Sequence, residues 1–84
     1  MHSPSLPAPA LRGYAASISR YTGVTDPATL VEIETWMREE QRTLDHLTPA
    51  AFAKLARSSW EIVAWLRTPE GAAEFAAMQR EMVA

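Results

Sequence analysis

Apolar residues recur at helical spacing along most of this chain. Between Pro27 and Thr43, Leu30, Ile33, Met37 and the following Leu44 fall within about 60° of one another when wound at 100° per residue. Trp36 flanks that stripe, while Arg38, Glu39 and Arg42 face away. Glu34 and Arg38 make a favourable i,i+4 pair. Glu40 projects between Ile33 and Trp36 and reads as a carboxylate at the stripe's edge. From Pro49 to Arg67 the apolar face is wider: Phe52, Leu55, Ala56, Ser59, Ile62, Val63 and Leu66 cover roughly 120°. Trp60 lies to one side of this face and Trp65 to the other, and only Lys54, Arg57 and Glu61 mark a definite solvent sector. A helix apolar over so much of its circumference is predicted to be central, touched from more than one side. Ala56 and Ser59 in mid-stripe predict a close helix–helix approach. A further helix is predicted from Thr68 to about Met82, with Phe75, Met78 and Met82 sharing a face with Gly71. Methionine fills gaps adaptably and fixes packing loosely, so this is the helix best suited to moving or to being shared with a partner.

The helix starts share one chemistry. Asp26-Pro27, Thr48-Pro49 and Thr68-Pro69 each offer a side-chain oxygen at an N-cap and a proline at the first helical position, where a missing N–H costs nothing. Upstream, Leu11, Tyr14, Ile18 and Tyr21 recur at intervals of 3, 4 and 3, which reads as a short helix from Ala10 ended by Gly23. The run Ile18 to Thr22 also alternates and holds strand formers, but a lone strand would have nothing to pair with. Residues 1–9, rich in proline, are predicted to be a mobile arm, leaving residues 10–84 as one domain. The fold class is therefore all-α: a small three-helix bundle with an additional short N-terminal helix or arm.

Composition narrows this further. The 84 residues are 48% apolar and 21% charged, with no cysteine, which is the balance of a small globular domain and excludes a disulfide scaffold or a thiolate metal site. The longest apolar run, Ile62 to Leu66, is far short of the ~20 residues that cross a bilayer. The N-terminal residues do not read as a secretory signal, so the expected setting is the cytoplasm. Seven arginines against one lysine, with fifteen alanines, fit a GC-rich bacterial or phage origin. The net charge of −2 is spread in blocks: residues 26–45 carry six acids against two arginines, and no block holds a run of like charge that would suit a polyanion.

Catalytic chemistry lacks its parts. Ser58, Ser59, His46 and Asp45 are present, but no strand–turn–helix elbow presents a serine. Ser59 reads as a small packing residue, and Asp45 and His46 as turn residues, with Asp45 bonding its local backbone. Glu39 and Glu40 are adjacent and point about 100° apart on a helix, so they cannot share a proton-transfer site. No catalytic, metal or cofactor-binding residue is assigned, and the chain is not expected to be an enzyme or to take a small-molecule substrate. A helix-turn-helix reading of Leu47 to Leu66 fails because no turn interrupts Ala50 to Leu66. Lys54 and Arg57, with Glu61 beside them on an acidic protein, make a weak phosphate footprint.

Protein–protein contact remains, either with another protein or with a second copy. One stripe on the central helix does not obviously bury Trp65 as well. Either the N-terminal segment, through Leu11, Tyr14 and Ile18, folds over Trp65, or Trp65 belongs to an exposed patch. The candidate partner-binding residues are Trp65, Lys54, Arg57 and Glu61, with Trp36, Tyr14 and Tyr21 secondary. The expectation is a non-enzymatic interaction module; the alternatives are a small nucleic-acid-binding regulator and a purely structural homodimerising domain.

The run Arg20-Tyr21-Thr22-Gly23-Val24-Thr25-Asp26-Pro27, then Glu32-Ile33-Glu34, Met37-Arg38 and Thr43-Leu44-Asp45, resembles a pattern in short bacterial and phage helical proteins to which no activity is attached. The resemblance spans roughly residues 18–60, and much of it is cap-and-helix grammar. It implies no site residue. It does imply a setting, phage or mobile-element cargo, in which such a module would modulate a host protein.

Overall fold

The computed structural model describes residues 9–83, with side chains described from Gly13 to Met82. Among these residues the chain is all-α and contains four helices: α1 (Pro9–Thr22), α2 (Pro27–Glu40), α3 (Pro49–Leu66) and α4 (Pro69–Val83). None is long and apolar enough to cross a membrane. The expected arm falls largely outside the described residues, and α1 starts within its last position, at Pro9.

All three cap signals fold as written. The Asp26 carboxylate accepts from the Thr29 amide at 2.9 Å and from the Thr29 hydroxyl at 2.7 Å. The Thr48 hydroxyl accepts from the Ala51 amide at 3.1 Å, and the Thr68 hydroxyl from the Gly71 amide at 3.0 Å. Each bond satisfies a donor that the first helical turn leaves without a partner. Gly23 ends α1 at φ +79°, its amide donating to the Ser19 carbonyl at 2.7 Å. That left-handed conformation is one glycine adopts without steric cost.

The core differs from the expected bundle in which helices take part. Its buried apolar residues are Ala15 and Ile18 from α1, Leu30, Ile33 and Met37 from α2, Leu44 from the α2–α3 loop, and Phe52, Ala56 and Val63 from α3. None comes from α4. Rather than an accessory arm, α1 is a full member of a three-helix core with α2 and α3. Its short Ala15 side chain and fully buried Ile18 seat it closely. The central position expected for α3 is observed, since α3 packs against each of the other helices. Ala56 and Ser59 are both buried, as a close approach requires. Helix α2 stops at Glu40, three residues before the expected end, and the Gln41 amide donates to the Met37 carbonyl. This lets the loop turn back so that Leu44 closes the core from below.

Polar clasps join the elements. Arg67, just beyond α3, donates to the Thr29 hydroxyl at 2.9 Å and to Glu32 at 2.6 Å, tying the end of α3 to the start of α2. The Tyr14 hydroxyl donates to the Asp45 carboxylate, so Asp45 ties the α2–α3 loop to α1 rather than serving only its own turn. Glu34 makes the expected pair with Arg38 but is only 4% exposed, with Oε2 held by Arg38 at 2.9 Å and Oε1 without a partner. Burial against the α1 side of the bundle changes that pair from a surface accessory to the partner of a buried charge.

Helix α4 leaves α3 through a two-residue connection, Arg67-Thr68. The Thr68 hydroxyl donates to the Trp65 carbonyl at 2.7 Å while accepting from Gly71, so one oxygen joins both helices. Gly71 is pressed on the Trp65 carbonyl, far closer than any Cβ could stand. Glycine at this position is what permits the tight crossing.

Candidate functional site

The exposed large apolar side chains all lie on α3 and α4 among the described residues. On α3, Ile62 and Trp65 are 36% and 37% exposed; on α4, Met78 and Met82 are 49% and 85% exposed. Helical spacing puts Gly71, Phe75, Met78 and Met82 on one face of α4. That face is buried at Gly71 and half-buried at Phe75, and it lies in solvent from Met78 onward. The stripe therefore runs off the end of the bundle. Phe75 meets Trp36 of α2 edge-on, ring centroids 6.2 Å apart at 67°. On its other side Trp36 walls an open groove of about 330 Å³ between α2 and α3, lined also by Glu40, Gln41, Lys54, Leu55, Ser59 and Ile62.

Exposure of Ile62 corrects the expectation that it packs in the core. Periodicity placed it correctly on the apolar face of α3, but α4 crosses only the far end of that helix and leaves Ile62 at the groove wall. Trp65 is likewise not covered as one reading required. Tyr14 stacks on Phe52 with centroids 5.7 Å apart, near the opposite end of α3, and Ile18 is sealed in the core. Trp65 instead stands at the base of α4, with the Gly71 backbone against it.

The other candidates separate. Lys54, Arg57 and Glu61 do come together with Tyr21 along one shallow depression, and Lys54 also stands on the rim of the Trp36 groove. Arg57 is exposed but engaged, its Nε donating to the Tyr21 carbonyl at 3.2 Å, which caps the last turn of α1. Tyr21 is half-buried against Phe52, ring centroids 6.1 Å apart. Tyr14 is more committed still: besides Phe52 and Asp45 it carries the Arg38 guanidinium 5.2 Å over its ring. Its hydroxyl is pushed above the usual phenol range, first by the bond to Asp45 and next by desolvation. Tyr14, Tyr21 and Arg57 thus hold the fold together, whereas Trp36, Lys54 and Trp65 border the open face and Glu61 lies one turn from Trp65.

Among the described residues no cluster of three or more His, Cys, Asp or Glu could hold a metal ion. Arg38 and Arg67 are each engaged by an acid, and Arg57 by a carbonyl, so Lys54 is the cation that the groove presents. Ile62, Phe75, Met78 and Met82 were not among the candidate partner-binding residues. A signal for the methionines existed in the loosely anchoring stripe of the last helix; for Ile62 there was none.

No protein-family model matches this chain, and no curated protein or solved structure is similar to it.

Proposed function

We propose that this protein acts by binding a protein partner, a different chain or a second copy of itself, through the face built from the Trp36–Ile62 groove, Trp65 and the outer stripe of α4. The observation that carries this reading is the course of the α4 stripe. Its apolar residues keep one face of the helix well past the point where the bundle ends, leaving Met78 and Met82 in water. Exposed apolar side chains set singly are ordinary; a contiguous set rimmed by polar residues marks a contact surface. Methionine, Trp and Phe are also the side chains enriched at interface cores. The two-residue connection and the Gly71 crossing hold α4 in one direction, so the face is formed before any partner arrives and association orders little backbone.

Cross-linking in the native cell tests this. A photo-activated amino acid at position 78 should give covalent protein adducts, and the same group at position 39, on the exposed outer side of α2, should not. Equal adducts at both positions, or none at 78, would overturn the proposal.

A further inference from the structure

Resting on that reading, we infer that the occupant of the face is a second copy of this chain, with the outer stripe of α4 from each copy lying in the Trp36–Ile62 groove of the other. The groove has room for the outer stripe. From Ala51 to Ile62 it follows about 16 Å of α3, and the exposed part of the stripe, Met78 to Met82, spans about 6 Å of α4, at 1.5 Å per residue. Ridge and groove sit on one molecule, so two copies related by a two-fold axis make the same contact twice and the assembly closes at two.

Charge gives the match a direction. On α4, Glu70, Glu74 and Glu81 lie along one flank of the apolar stripe, and Ala72 and Gln79 along the other. The groove is asymmetric in the complementary sense. Its α3 rim carries Lys54 and Ser58, and its α2 rim Glu40 and Gln41. A helix from a second copy therefore fits with its acidic flank against Lys54 and its uncharged flank against Glu40. Turning it round would set Glu74 and Glu81 beside Glu40, which like-charge repulsion disfavours. Met78 and Met82, unbranched and adaptable, are suited to fill a groove whose walls mix Trp36, Leu55 and the small Ser59.

The test needs no other partner, because the probe is the protein itself. Sedimentation of the full chain over a wide concentration range should show the 9.3 kDa monomer converting to twice that mass. Met78→Glu should raise the dissociation constant at least tenfold while circular dichroism stays helical, since Met78 is exposed in the monomer. Lys54→Glu should also weaken pairing, and combining it with Glu74→Lys and Glu81→Lys should restore it. As the chain has no cysteine, mixing a Met82→Cys variant with a Ser58→Cys variant should give a disulfide-linked heterodimer under mild oxidation. A chain that stays monomeric throughout, or a dimer indifferent to both Met78→Glu and Lys54→Glu, overturns self-pairing. If adducts to a different protein at position 78 persist in that case, the binding face stands and only its occupant changes; if they too are missing, both proposals fall.

Discussion

Arg38 and Arg67 each make an ion pair, at 2.9 Å and 2.6 Å, and their surroundings rather than these lengths give them different weight. Arg38 serves Glu34, which is buried, and leaving that carboxylate without its partner exposes the fold to the desolvation penalty of an unpaired acceptor. Half the guanidinium is in water, which discounts the effect, so Arg38→Met is expected to cost about 1–3 kcal/mol. Arg67 pairs with a half-exposed Glu32, and the corresponding Arg67→Met should cost less, about 1 kcal/mol including the Thr29 contact. Urea denaturation of the two variants side by side checks the order. The Asp26 cap gives a pH dependence. Hydrogen bonds from the Thr29 hydroxyl and then the Thr29 amide hold its carboxyl below the usual range. A folded-state pKa below the unfolded one contributes stability that is fully present above the unfolded value, about 3.9, and is lost as pH falls through the lower one. Asp26→Asn keeps a capping oxygen without the charge. Its melting temperature should therefore decline less than that of the parent protein as pH falls below about 4. These capping roles were legible in the sequence, because a cap is local chemistry. The burial of Glu34 was not, since it depends on α1 lying across α2.

Among elements, α4 stands apart. It adds no residue to the buried core, touches the bundle through Gly71 and Phe75, and carries its remaining apolar residues outward. Amide hydrogen exchange should report this division in dilute solution, where the monomer prevails. Amides around Ile18, Ile33, Met37 and Val63 should exchange most slowly, through global unfolding, and those from Met78 onward fastest, through local opening. Uniform protection across all four helices would contradict it. Periodicity picked buried residues of α2, Leu30, Ile33 and Met37, and of α3, Phe52, Ala56, Ser59 and Val63, but also Ile62, Met78 and Met82, which are exposed. It could not say which faces another element would cover, and the roles of the first and last helices were exchanged for that reason. The α1 pattern of Leu11, Tyr14 and Ile18 is sparse, and competing strand alternation made it look accessory. The α4 pattern is clean but is satisfied only in part within the monomer. Ile62, expected in the core and found exposed, follows from this one misplacement.

At the scale of the whole molecule, three helices close a small core and a fourth extends from it. Much of the fold was therefore readable from caps and stripes, and the candidate face only by its excess of apolar residues, not by its location. Tyr14, Tyr21 and Arg57 were drawn toward the candidate site because tyrosine and arginine favour interfaces in general; here they join α1 to α3 and to the α2–α3 loop instead. The separation of α4 from the core has an evolutionary consequence. Substitutions on its outer half escape the packing constraints that govern the interior, so selection can retune what the helix recognises while the scaffold beneath it is inherited unchanged.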